Sequence, residues 1–309
     1  MRVDVVTAVH AAYAPFLPAA WASVRAQRHR DWTWLVQVDG PATAVTAALA
    51  ACGAADDPRV RLDAHGTREG PAVARNIALG RAEADLVQNL DADDELEPDA
   101  LTVLAAALRE HPDAGFAVGH ARDLLPDGTL REHALDVRPG RLARGELLRI
   151  WRHDPRRVPV HPAGVLWRRD LLLRLGGWMA LRGMEDTGLL LAASAAAAGV
   201  HVPAATLRYR RHPGQRSTRR GKFTGGGCAD RAAPAAGRAA LERARTGSET
   251  ILTRPNPAIR SARTPPTACH RAWELDSRTE CGHAYCRWHR SCGRRAGRRD
   301  GSERSGVWD

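Results

Sequence analysis

Apolar runs and polar breaks alternate along the first part of the chain in a strand–helix rhythm. Val3–Val9 (VDVVTAV) is β-branched and predicts a first strand. Pro15–Arg28 spaces Phe16, Leu17, Ala20, Trp21 and Val24 as one face of a helix. Trp34–Val38 predicts a second strand, ended by the turn signal Asp39-Gly40-Pro41, and Ala42–Ala51 a helix. A short strand over Val60–Asp63, a loop over His65–Gly70 and a helix over Ala72–Ala82, opened by Pro71, follow. Leu86–Leu90 is an apolar run too short for a helix, and Pro98–His111 is helical. Repeated strand–helix units predict a doubly wound α/β domain with a largely parallel sheet.

Further along, the pattern becomes mixed. Gly115–Ala121 reads as a strand, and Asp127-Gly128 as a hairpin turn between Arg122–Leu125 and Thr129–His133. Gly145–Trp151 is helical and Val158–Trp167 extended. Arg169–Leu175 is a short helix stopped by Gly176-Gly177. Met184–Gly199 predicts a long Ala-rich helix and Val200–Tyr209 a last strand. Val5–Val24 and Thr187–Leu207 lack charge, but their His and Pro residues make them poor membrane spans, so no integral span is expected. The first apolar run breaks at His10, which argues against a signal peptide.

The chemistry concentrates after Leu90. Asp91, Asp93, Asp94, Glu95, Glu97 and Asp99 follow one another with no Lys or Arg between them. In open α/β sheets ligands sit beyond the carboxyl ends of strands, where this cluster falls. If the strand geometry persists, Asp91 and Asp93 point the same way, as two oxygen donors for a hard divalent cation. A solvated helix start explains Glu95, Glu97 and Asp99 equally well, but explains Asp91 poorly.

Charge and cysteine divide the chain of 309 residues unevenly. Residues 1–220 carry 29 basic and 26 acidic side chains, whereas residues 221–309 carry 17 and 9. Lys222 is the one lysine, and Cys52 is the one cysteine before residue 221. A disulfide framework is therefore excluded there, and a reducing cytoplasm is the simplest setting, with peripheral docking at the inner membrane face left open. Residues 221–309 hold only seven Leu, Val, Ile or Phe, too few for a core. They read as a disordered basic tail or the product of a reading-frame shift. The spacings among Cys269, His270, Cys281, His283, Cys286, His289 and Cys292 match no paired zinc knuckle, and nucleic acid is not an expected partner.

Several ordered segments resemble one family. They are VVTAV at 5–9, Val38-Asp39-Gly40, GPAVARN at 70–76, LDADD at 90–94, LGGW at 175–178, MEDTGLLL at 184–191 and YRRHPGQRS at 209–217. Together they resemble glycosyltransferase family 2, inverting nucleotide-sugar transferases of the GT-A fold, over roughly residues 3–217. The resemblance implies a Rossmann-like, mostly parallel central sheet with flanking helices. It implies a catalytic domain over 1–220, with a nucleotide half at about 1–112 and an acceptor half at about 113–220. The implied activity is a hexosyltransferase of cell-wall or polysaccharide biosynthesis. Its donor would be a nucleotide-diphosphate sugar, a UDP-sugar first, and its acceptor a glycan, lipid or small molecule. Thr7, Ala8, Asp39, Arg75, Asn76 and Asp91 would bind the donor nucleotide. Asp93, Asp91 and His212 would hold Mn²⁺ or Mg²⁺. Asp186 would be the catalytic base, supported by Glu185. Two other readings compete. A nucleotidyltransferase would want a glycine-rich, basic loop after the first strand, which Thr7–Tyr13 lacks. A degenerate transferase or basic binding module would work through the tail.

Overall fold

The computed structural model describes residues 1–155, 158–179, 181 and 183–215. The tail reading of residues 221–309, its cysteines and histidines, and Ser217 lie outside them.

Strand β1 (Val3–Val9) lies parallel to β2 (Trp32–Val38) on one edge and to β4 (Leu86–Asn89) on the other. A strand paired on both edges and covered on both faces has no solvent side, which explains its near-continuous Val content. β2 pairs outward with β3 (Val60–Ala64), an exposed edge strand that carries Arg61 and Asp63. Beyond β4 the sheet is mixed. β9 (Leu166–Arg168) is inserted antiparallel between β4 and β6 (Ala114–Leu124), and β6 runs parallel to β10 (Ala198–Arg210). β5 (Glu95–Leu96) and β8 (Gly140–Leu142) pair with β10, and β7 (Leu130–Arg131) with β6, all antiparallel. The main path runs β3-β2-β1-β4-β9-β6-β10-β5, and its longer registers are the parallel ones.

Helices cover both faces. α1 (Leu17–Arg25), α2 (Thr43–Ala51) and α4 (Ala100–Glu110) bury Trp21, Leu49 and Leu104 with Val3, Val5 and Trp34. Opposite them, α3 (Pro71–Gly80), α5 (Glu146–His153), α6 (Arg169–Leu175) and α7 (Glu185–Ala196) pack on Val6, Leu35 and Val87. The alternation of β1 side chains between the two cores is the strand period of two. Among the described residues no helix is long and apolar enough to cross a membrane.

Three elements differ from expectation. The helix expected over Pro15–Arg28 begins as a 3-10 turn, Ala11–Phe16, before α1. The extended stretch Val158–Trp167 is broken by a 3-10 turn at Pro162–Gly164, leaving only β9 as strand. The run Met184–Gly199 is helical only to Ala196. Its last residues open β10, where Gly199 lies against the Phe116 ring so closely that an added Cβ would sit 2.4 Å from it.

Candidate active site

From β1 the chain builds β2 and β3 on one side and then crosses to place β4 on the other, so the carboxyl end of β1 is the topological switch point of the sheet. A cleft of about 580 Å³ opens there. Ala8, Asp39, Arg75, Asp91, Asp93, Glu185 and Asp186 line it. Segments far apart in sequence thus meet at one sheet edge.

Arg75 on α3 joins the two walls. Its Nη2 donates to Asp91 Oδ1 at 2.5 Å, while Nη1 lies 3.0 Å from Asp186 Oδ1 and 3.6 Å from Glu185 Oε1. Its side chain is 4% exposed. Burial alone would favour losing the proton. The carboxylates of Asp186, Asp91 and Glu185 outweigh it and raise the guanidinium pKa. A buried bidentate cation suits Arg rather than Lys, because its planar fork reaches both walls at once.

Asp91–Asp94 is a turn rather than a strand extension. β4 ends at Asn89, and the Asp94 amide donates back to the Asp91 carbonyl at 3.1 Å. The turn nevertheless gathers Asp91, Asp93 and Asp94 so that one carboxylate oxygen from each lies within 4.8 Å of the others. Burial and the neighbouring Asp91 raise the Asp93 pKa, with His212 working against them. Burial and the neighbouring Asp93 and Asp91 hold the Asp94 carboxyl well above its ordinary value. Asp94 Oδ2 is buried without a hydrogen-bond partner among the described residues. Crowded oxygen donors, one of them orphaned, fit a hard divalent cation. Asp94 thus joins the expected pair Asp91 and Asp93. His212 reaches the group through Asp93, with Nε2 2.9 Å from Oδ2.

Glu95 and Glu97 are not helix-start residues. They meet arginines of the neighbouring strands: Glu97 pairs with Arg208 at 3.0 Å and with Arg122, and Glu95 pairs with Arg210. Asp99 precedes α4 without a side-chain cap and pairs with Arg28 at 2.6 Å. Arg210 also donates from Nε to the Asp93 carbonyl and from its amide to Asp94 Oδ1, both at 2.9 Å, so β10 grips the acidic turn from below.

Asp39 serves both as a turn residue and as part of the cleft wall. Its Oδ1 accepts from the amides of Glu69 and Gly70 at 2.7 and 2.9 Å and ties the 65–70 loop to the end of β2. Thr7 and Asn76 do not line the cleft. The Thr7 side chain is fully buried, and its hydroxyl accepts from Trp34 Nε1 at 2.9 Å. Asn76 brackets Trp178 instead. Its Oδ1 accepts from the Trp178 amide and its Nδ2 donates to the Trp178 carbonyl, both at 2.8 Å. Gly177 has φ +67°, and a Cβ there would lie 2.2 Å from Asn76 Oδ1, so this turn requires glycine. The turn holds the Trp178 ring 5.9 Å from the Arg75 guanidinium.

Glu185 and Asp186 open α7. Met184 before them, at φ 63°, is the one non-glycine residue with positive φ among the described residues. The left-handed conformation costs a residue with Cβ about 1–2 kcal/mol. It swings the chain so that both carboxylates face Arg75. On the other flank, the His212 ring packs 4.5 Å from Phe16 and edge-on to Tyr13, whose hydroxyl donates to the Gly214 carbonyl at 3.2 Å.

A switch-point cleft with an acidic turn after the fourth strand, in a sheet of this order, defines the GT-A class of α/β folds. The chain belongs to glycosyl transferase family 2, whose family model matches residues 4–172. It is 32% identical over 111 residues to the O-antigen biosynthesis protein RfbC of Myxococcus xanthus, a match covering 36% of this chain and 9% of that protein. It is 31% identical over 107 residues to protein y4gI of Sinorhizobium fredii, covering 35% and 12%. The chain thus matches about a tenth of the length of these curated relatives. Among solved structures, residues 1–349 of S. aureus TarS in complex with UDP-GlcNAc align at TM-score 0.59 and 16% identity, over 71% of this chain and 61% of that one. The complex of the same protein with UDP aligns at 0.56 and 15%, over 69% and 61%. At these identities the likeness is one of fold.

Proposed function

We propose that the chain transfers a sugar from a UDP-sugar to an acceptor hydroxyl, with inversion at the anomeric carbon and with a divalent cation. The observation that carries this reading is the convergence of the acidic turn and the Glu185–Asp186 pair on one buried guanidinium, that of Arg75. Such a site holds a cation-binding wall and a proton-accepting wall at fixed separation. Family membership supports sugar transfer, and the UDP and UDP-GlcNAc complexes of a protein of like fold support the donor class. Residues 1–112 hold the nucleotide in this reading, and residues 113–220 the acceptor.

Each residue then has a task. Asp39, with Oδ1 committed to the loop amides, keeps Oδ2 to accept a base N–H. The backbone at Ala8 flanks the nucleotide. Asp91, Asp93 and Asp94, with His212 beside them, would hold Mn²⁺ or Mg²⁺. When bound, the cation offsets the charge growing on the leaving diphosphate. Asp186 accepts the acceptor's proton as that oxygen bonds to the anomeric carbon. The bond from that carbon to the diphosphate oxygen breaks, and its electron pair leaves with the nucleoside diphosphate. A single displacement inverts the centre. Arg75 holds Asp186 in place, and Glu185 shares the same guanidinium.

The test is a panel of nucleotide sugars with Mn²⁺ or Mg²⁺, comparing the wild type with Asp93→Ala. Metal-dependent binding of at least one UDP-sugar, lost in the variant, is expected. Failure of every nucleotide sugar to bind in a metal-dependent way refutes the reading.

A further inference from the structure

A second cavity, of about 420 Å³, shares Tyr209 with the acidic cleft, so the two are neighbours across one side chain. Four of the chain's 13 histidines line it: His120, His133, His161 and His201. No residue given a role above, other than Tyr209 as a wall, belongs to it. His201 is 2% exposed, and its Nδ1, like that of His120, is buried without a hydrogen-bond partner among the described residues. A buried polar atom left unpaired costs stability unless a ligand or water completes it. The His161 ring lies 4.4 Å from the Tyr209 ring, and Val158 and Val160 add an apolar wall.

The chemistry of the lining selects its occupant. Burial lowers the pKa of His161 to about 4 and that of His201 below its ordinary value, so both imidazoles are neutral at pH 7. The Ala163 amide donates to His161 Nδ1 at 3.4 Å, which leaves the Nε2–H of the neutral ring to donate to a ligand oxygen, while His201 Nδ1 is left to complete the pair a hydroxyl needs. Beside these, the arginine charge is already engaged: Arg131 meets Asp123 Oδ2 at 2.6 Å and Arg211 lies 3.7 Å from it, with His133 Nε2 3.1 Å from the same oxygen. A phosphate would therefore compete with a carboxylate in place, and an alkyl chain would leave the buried His201 Nδ1 unpaired. A sugar ring, with apolar faces and hydroxyl edges, meets both the aromatic and apolar walls and the ring nitrogens.

We propose that this cavity is the acceptor subsite and that its occupant is a saccharide, held by hydrogen bonds to His161 and His201 and packed against Tyr209. The assignment rests on the transferase reading above, since it supplies that reaction's second substrate.

The full chain, with UDP and Mn²⁺ present, is titrated with methyl glycosides of glucose, galactose, mannose and N-acetylglucosamine, and with glycerol 3-phosphate. Binding is read by saturation-transfer NMR. At least one glycoside should bind and glycerol 3-phosphate should not. Ala134→Trp, at an exposed position on the cavity lining, and His161→Leu should each weaken glycoside binding at least tenfold. UDP titrations of every variant report whether it is folded. UDP binding without any glycoside binding overturns the saccharide assignment, as does binding of glycerol 3-phosphate alone. Undiminished glycoside binding by both folded variants overturns the location. Loss of UDP binding in the wild type would instead remove the transferase reading, and this assignment with it.

Discussion

Arg75→Met is the sharpest test of the central contact. The guanidinium is 4% exposed and faces Asp91 at 2.5 Å, Asp186 at 3.0 Å and Glu185 at 3.6 Å. Methionine fills much of the volume but leaves these carboxylates together without their cation. Unit charges about 4 Å apart at an effective dielectric near 20 interact by about 4 kcal/mol. Asp91 is 26% exposed and Asp186 17%, so water recovers part of that loss. Removing one partner of a buried pair costs about 3–5 kcal/mol, and we expect this range. For a domain of this size that lowers the melting temperature by roughly 6–20 °C. Arg75→Lys keeps the charge but cannot reach both walls, and should fall between the two. Thermal unfolding at pH 7.5 by circular dichroism measures the effect. The loss should shrink below about pH 5, because unpaired carboxylates there take up protons and the repulsion vanishes. A melting temperature within 2 °C of the wild type, at both pH values, would refute the view of Arg75 as the charge that holds the cleft walls together.

Further outcomes follow from the structure. Asp186→Asn should retain UDP binding while transfer falls by about 10²–10⁴-fold, measured as product formed at saturating donor; full activity would exclude it as the base. Gly177→Ala places a Cβ 2.2 Å from Asn76 Oδ1 at φ +67° and should cost roughly 2 kcal/mol or more in urea unfolding. In Gly177→Ala/Asn76→Ala the two losses should be non-additive, since both act on one bracket. His161 has a folded pKa of about 4, below its unfolded value, so the unfolded chain binds the extra proton first as pH falls. Its contribution is complete above pH 6.5 and lost towards pH 4, and His161→Leu should flatten the stability profile in that window.

Strands β1 and β2 were legible because both of their faces are covered. Val3–Val9 and Trp34–Val38 announce themselves by unbroken apolar runs, and turn signals close them. β9 and β5 were not legible. Their three and two residues carry no period, and only pairing with β4, β6 and β10 makes them strands. The Ala-rich stretch ending at Gly199 carries no stop signal a reader of local propensity would accept; packing under Phe116 decides it. In the site, residue identity was easier than residue task. Asp91, Asp93, Glu185 and Asp186 stand in compact motifs and do line one cleft. The partners of Thr7 and Asn76 lie 27 and 102 positions away, so no local pattern could report that one is held by Trp34 and the other holds Trp178. The acidic run misled for the same reason: the arginines that claim Glu95 and Glu97 come from β6 and β10.

The grip of Arg210 on the acidic turn has a consequence for how the protein is born. Its three hydrogen bonds to residues 93–95 close loops of 115–117 positions. A ribosome delivers β1, β2 and β4 long before it delivers β10. The nascent chain can pair β1, β2 and β4 early, but its acidic turn lacks the hold of Arg210 until β10 has emerged. Completion of the carboxylate cluster therefore waits until about two thirds of the chain has been made, and a chain released before residue 210 would keep the Arg75–Asp91 contact but lack the hold of Arg210 on residues 93–95.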